Sequence, residues 1–138
     1  MSHARQQIRE ACAALVTGLT TTGSRVFQSR MRPQISANLP CLLVTTNDEE
    51  ITPGTIGTIY ERSLLLSVRG FAMGSATLDD TLDQIATEVE TAMFGYYRAN
   101  LTAIEIGFDD EMEKPVGSID LRYRVTYHTA AGDPGTLI

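Results

Sequence analysis

The most regular alternation of apolar and polar positions in the chain runs from residue 117 to residue 128. Ile119, Leu121, Tyr123, Val125 and Tyr127 fall on one face, and Asp120, Arg122, Arg124, Thr126 and His128 on the other. A period of two predicts a strand. A single apolar face of β-branched and aromatic residues fits an antiparallel sheet covered on one side better than a parallel sheet buried on both.

Partner strands follow from the same pattern. Residues 39–46 read as a strand that Pro40 can begin but not continue across, buried on both faces near its start. Residues 56–71 resume extended structure, with Leu64, Leu66 and Val68 facing one way and Ser63, Ser67 and Arg69 the other. Between them, residues 47–55 read as an acidic loop with Pro-Gly turn chemistry. Strand, loop and strand then make a hairpin that gains ~3.4 Å per residue and reaches beyond a compact body. A short extended piece at 25–29 carries Val26 and Phe27. In residues 101–108, Ile104, Ile106 and Phe108 alternate with Glu105 and Gly107, and 109–115 connect them to the last strand as a second hairpin.

Two stretches change to the helical period. Ile8, Cys12, Leu15, Val16 and Leu19 predict an amphipathic helix from residue 3 to 19, ended by Gly18 and a run of threonines. Gly70 and Gly74 bracket a turn, and Leu78, Leu82, Ile85, Val89, Met93 and Tyr96 predict a second helix over 78–97. Asp79, Asp80 and Asp83 stand in its first turn, where carboxylates oppose the positive end of the helix dipole. The expected fold is therefore α+β: one domain over residues 1–129, an antiparallel or mixed sheet with a long hairpin, covered by two main amphipathic helices. Residues 130–138, with two Gly, a Pro and no period, read as a mobile tail.

Composition narrows this picture. At 138 residues and 43% hydrophobic the chain is long enough for one domain that buries roughly 70% of its unfolded surface. No apolar run approaches the ~20 residues of a membrane span, and the first residues lack the order of a signal peptide, which predicts a cytoplasmic protein. Cys12 and Cys41 lie far apart in apolar settings, as buried free thiols do. The net charge of −6 hides an asymmetry. Residues 1–34 carry Arg5, Arg9, Arg25, Arg30 and Arg32 against Glu10, a balance of +4, and the remainder carries −10. The basic part of one copy could meet the acidic part of another; the plainer reading is that two solvated faces differ.

No stretch of the chain carries a recognisable catalytic or metal-binding motif. Asp79, Asp80 and Asp83 resemble a magnesium-binding helix face, but that chemistry needs a large pocket and a second acidic helix, and dipole stabilisation accounts for the same residues. Asp109, Glu111, Glu113 and Asp120 match some positions of a calcium loop, but Lys114 stands where the turn requires Gly. His3 and His128 lie at opposite ends of the chain and read as solvated. No nucleophile has a His or Lys partner nearby, so no catalysis, cofactor or metal is expected. A single lysine and no basic helix argue against nucleic acid as the main partner.

In order and spacing, the elements resemble the tail terminator proteins of long-tailed bacteriophages, the family that includes the lambda minor tail protein U. The resemblance spans nearly the whole chain: the first helix (8–19), Gly23-Ser-Arg-Val-Phe27 leading to Leu39-Pro-Cys-Leu-Leu-Val44, the acidic Asp48-Glu49-Glu50, a long strand at 62–68, a helix opening Leu78-Asp79, and the closing Leu121-Arg-Tyr-Arg-Val-Thr-Tyr127. It implies a structural, non-enzymatic virion protein at the tail-head junction, made in the host cytoplasm. There a homohexameric ring caps the tail tube, stops its polymerisation and offers the head-tail joining surface. Its implied partners are other copies of itself, the tail tube protein and the head-tail connector or neck protein, with DNA passing through the lumen. On this reading Arg25, Arg30 and Arg32 face carboxylates of a neighbour, from Asp48, Glu49 and Glu50 or from Asp109, Asp110, Glu111 and Glu113. The hairpin Ile51, Thr52, Pro53, Gly54, Thr55 and Ile56 reaches the tube or lines the lumen. The alternatives are a head-completion or neck connector protein and, from another class, a small metal-dependent hydrolase acting through Asp80 and Asp83.

Overall fold

The alternating stretch 117–128 lies inside the strand that most of the sheet is built on. In the computed structural model, which describes residues 2–28, 39–54, 58–74, 76–109 and 116–138, the order is α1 (Ala4–Leu15), β1 (Val26–Phe27), β2 (Cys41–Pro53), β3 (Ile59–Met73), α2 (Leu78–Met93), β4 (Ala99–Asp109), β5 (Val116–Ala130) and β6 (Asp133–Leu137). The six described strands form one sheet in the order β1-β2-β3-β5-β4, with β6 also paired to β5. β1 runs parallel to β2 and the other pairs are antiparallel, so the sheet is mixed and the domain α+β.

β3 and β5 pair without a break from Ile59 opposite Ala130 to Met73 opposite Val116. Their apolar phases coincide in that register. Leu64 stands opposite Val125, Leu66 opposite Tyr123 and Val68 opposite Leu121, all buried on the face that both helices cover. A buried Leu or Val of this kind contributes about 1.5–3 kcal/mol. α2 contributes Leu78, Leu82, Ile85, Val89 and Met93 to this core, and α1 contributes Ile8 and Cys12. Gly70 and Gly117 mark where α2 comes closest. A Cβ on Gly70 would stand 2.7 Å from Ile85 Cγ2, and one on Gly117 2.9 Å from Leu82 Cδ1. Gly70 therefore belongs to the strand under the helix and not to the expected turn, because the helix needs a position without a side chain there.

The other sheet face carries a smaller apolar cluster of Cys41, Leu43, Phe71 and Val116. With Leu42 and Val44 buried on the helix side, the start of β2 is buried on both faces as expected. Beyond that cluster this face is mostly polar, with Leu65 set among Thr45, Asn47, Ser67 and Arg69.

Several expected boundaries move. The acidic loop at 47–55 is mostly strand: β2 runs to Pro53, because a bulge between Thr46 and Glu49 absorbs one extra residue and pairing with β3 resumes at Glu49–Leu64. The hairpin is no free arm, since β5 backs β3 along its full length. α1 stops at Leu15. Gly18 (φ +89°) and Gly23 (φ +58°) close a loop over Leu19 in backbone conformations that other residues rarely adopt. α2 stops at Met93, before Tyr96. The stretch past Ala130 reads as a tail, yet Gly132 (φ +83°) turns the chain and Asp133–Leu137 returns along β5. The exposed Pro134 sits on an outer strand, where its missing N–H is tolerated. Gln7 Nε2 ties this strand to α1 by donating to the Gly135 carbonyl at 2.7 Å.

Candidate functional site

Three polar or exposed features stand out on this framework. The first lies under the N-terminus of α1. Arg62 shares its phase on β3 with Leu64 and Leu66, so its side chain enters the covered face. There Nη1 donates to Glu49 Oε1 at 2.7 Å and Nε to Thr129 Oγ1 at 2.9 Å. Tyr127 donates its hydroxyl hydrogen to the other Glu49 oxygen at 2.6 Å, and Arg5 approaches Oε1 at 3.6 Å. Burial, the hydrogen bond to Glu49 and the Glu49 charge all hold the Tyr127 hydroxyl well above the ordinary tyrosine range. Every charge in this cluster has a partner in its own chain, which makes it a structural ion pair closing the core.

The second feature is a row across the polar face, where Leu43, Arg69, Asp120 and Glu105 stand opposite one another on β2, β3, β5 and β4. Arg122 bridges the two acids, with Nη2 2.6 Å from Glu105 and Nε 3.3 Å from Asp120. Arg69 reaches the same Asp120 oxygen at 4.0 Å. Asp120 is buried, and its other oxygen has no hydrogen-bond partner among the described residues.

The third feature is the edge strand β4. Leu101, Ile104 and Ile106 stand opposite Tyr123, Leu121 and Ile119, so they share the helix-side face. The two helices do not extend over them. Ile104, Ile106 and Phe108 are exposed by 44, 49 and 60%, and Phe94 just past α2 by 91%. The alternation in 101–108 is thus a correct sign of strand and silent about its covering. A hollow between the end of α2 and the start of β4 is lined by Glu90, Phe94, Tyr97 and Leu101. Tyr123 lies in it with a buried hydroxyl that has no partner among the described residues.

The residues expected at an interface distribute unevenly. Arg25 donates to the carbonyls of Pro40 at 2.7 Å and Thr21 at 3.3 Å, which pins the loop before β1 to the start of β2. Glu49 is turned inward, so the expectation that it faces a neighbour is corrected: its partner is the guanidinium of Arg62. Asp48 and Glu50 are exposed on β2, as are Ile51, Thr52 and Pro53, with Gly54 half-buried. Asp109 ends β4. Arg30, Arg32, Thr55, Ile56, Asp110, Glu111 and Glu113 lie outside the described residues. Asp79, Asp80 and Asp83 are exposed on the first turns of α2, and among the described residues no group of three or more His, Cys, Asp or Glu is placed to hold a metal ion. His3 caps α1, its Nδ1 accepting from the Arg5 N–H at 3.0 Å, and is not the solvated group expected; His128 is exposed. Cys12 and Cys41 are buried free thiols, pushed by burial to about 12 and about 11.

No helix among the described residues is long and apolar enough to cross a membrane. The sequence matches no protein-family model and no curated protein.

Proposed function

We propose that the protein is a phage tail terminator: a ring-forming structural protein of the virion that caps the tail tube, stops its polymerisation and offers the surface to which the head is joined. The observation that supports this reading best is electrical. Among the described residues the sheet is bounded by β1 at one end and β4 at the other, and the described charges near those two ends differ in sign. The β1 end carries Arg9, whose Nε donates to Gln28, and Arg25. α2, which lies over β3 and β5, and the edge strand β4 together hold seven carboxylates and no Lys or Arg, with Arg98 just before β4.

A subunit with opposite charge at its two ends attracts the next copy head to tail, and a head-to-tail contact closes into a ring when its rotation divides a full turn. Within such a ring, Arg30, Arg32, Asp110, Glu111 and Glu113, which lie outside the described residues, join Asp109 as candidates for the contact between neighbours. Asp48 and Glu50 remain available to a neighbour, and the exposed stretch from Ile51 to Pro53, with the half-buried Gly54, is the described part of the β2–β3 arm offered to the tube or the lumen. Weak contacts among copies become strong together once a tube end holds them side by side.

The test is to add the purified protein to tail tube protein during polymerisation and measure tube lengths by electron microscopy. Capping gives short tubes ending in a ring. Unchanged tube lengths, with co-purification on the head connector instead, would replace this reading by a neck protein.

A further inference from the structure

We infer that the uncovered apolar flank of β4 is the docking surface for a second copy of this chain, and that the contact is head to tail and not two-fold. The inference rests on the ring reading above and names the surface that reading requires.

Three observations converge on β4. Among the described residues it pairs only with β5, which leaves its outer backbone edge available to a further strand or loop. On its helix side Leu101, Ile104, Ile106 and Phe108 form one continuous apolar strip beside Phe94 and Tyr97. An exposed strip of large apolar side chains on one element is a contact surface, whereas scattered single residues are ordinary. In the hollow at its end, the Tyr123 hydroxyl is buried with no partner among the described residues while Glu90 lines the same hollow, so an incoming hydrogen-bonding or cationic group completes both.

Charge decides which surface of the second copy arrives. A two-fold contact would bring β4 against β4 and α2 near α2. Each copy then adds Asp79, Asp80, Asp83 and Glu90, exposed on α2, to the same seam, against Arg98, whose guanidinium stands 5.1 Å over the Tyr97 ring. Like charges across a partly desolvated contact are strongly unfavourable. Glu105 does not change this, because it points to the other sheet face and is held by Arg122 at 2.6 Å. The opposite end of the sheet offers the complement: among the described residues β1 is paired on one side only, and Arg9 stands there beside Gln28. The acidic, apolar end of one copy therefore meets the basic end of the next, which leaves one unused end of each kind until the ring closes.

Sedimentation equilibrium over a range of concentration tests this with wild type, Ile106→Glu, Arg9→Glu and an equal mixture of the two variants. Ile106 is exposed and Arg9 half-buried, and circular dichroism checks that each variant is folded. Wild type is expected to gain mass with concentration. Each variant alone associates at least about tenfold more weakly, and the mixture forms a one-to-one dimer from its remaining good β4 end and good β1 end. Ile106→Glu associating like wild type, Arg9→Glu associating like wild type, or wild type staying monomeric into the millimolar range each overturns the inference. Tube capping separates the two readings. Rings that form through β4 but leave tubes uncapped remove the terminator role and keep the interface; Ile106→Glu that caps as well as wild type does the reverse.

Discussion

Arg62 Nη1 lies 2.7 Å from Glu49 Oε1, and the two side chains are exposed by only 7 and 4%. A buried pair of this kind adds little to stability compared with apolar residues of the same shape, but breaking it strands a charge. Arg62→Met is expected to lower the unfolding free energy by about 3–5 kcal/mol, and Arg62→Met with Glu49→Leu by clearly less than that. Urea denaturation of the two variants and wild type checks both. A double variant less stable than the single one would mean that Glu49 is not held by Arg62.

Below neutral pH the first turn of α1 is the place to look. His3 accepts a hydrogen bond at Nδ1 from the Arg5 N–H, which requires the neutral ring, and burial followed by the charges of Arg5 and Arg62 lowers its pKa. Glu49 opposes that shift in part. A folded pKa below the unfolded one means that the unfolded chain binds the proton more readily. The contribution of His3 is therefore complete above the ordinary histidine range and is lost as pH falls through the lowered folded value. His3→Asn keeps a capping acceptor without a titrating ring. Melting curves from pH 7.5 to pH 5 should fall less steeply for this variant than for wild type.

Gly70 sets how closely α2 sits on the sheet. A Cβ there meets Ile85 Cγ2 at 2.7 Å, and the methyl of a β-branched residue has little freedom to move aside. Gly70→Ala should cost about 1–3 kcal/mol. Gly70→Ala with Ile85→Val leaves the Cγ methyls in place and should not rescue it, whereas Gly70→Ala with Ile85→Ala should recover part of the loss. Thermal melting distinguishes the outcomes.

Removing residues 132–138 takes away β6 together with the bond from Gln7 to Gly135. The expected result is a folded protein that is less stable by about 1–3 kcal/mol, with faster amide exchange in α1 than in α2. Equal exchange in both helices would mean that β6 does not secure α1.

Strands and helices were legible because their periods are set by which face is buried, and residues 117–128 or 78–93 carry that period cleanly. Other features depend on contacts that no local pattern records. The inward turn of Glu49 follows from a one-residue bulge, and nothing in Asn47-Asp48-Glu49-Glu50 marks which acid is turned in. Arg62 did leave a trace: a charged residue in phase with Leu64, Leu66 and Val68 requires a buried partner. The covering of β4 left none, since alternation in 101–108 reads the same whether or not a helix of the same chain reaches across it. Gly70 reads as a turn residue in sequence, and only the position of Ile85 shows why a strand needs it. The surplus of arginine in residues 1–34 was readable, but not that Arg25 is committed to carbonyls of its own chain.

The bulge in β2 has a bearing on tolerance to insertion and deletion. Thr46 stands opposite Leu66 and Glu49 opposite Leu64, so the strand spends three residues where its partner spends two. Losing Asp48 would smooth the bulge and leave Glu49 at its post. Losing Glu49 itself would slide Glu50 into the same position against Arg62, provided the bulge persists. The run of three acids thus works as a spare-part arrangement, in which the buried cation keeps a carboxylate through a one-residue slip of the strand.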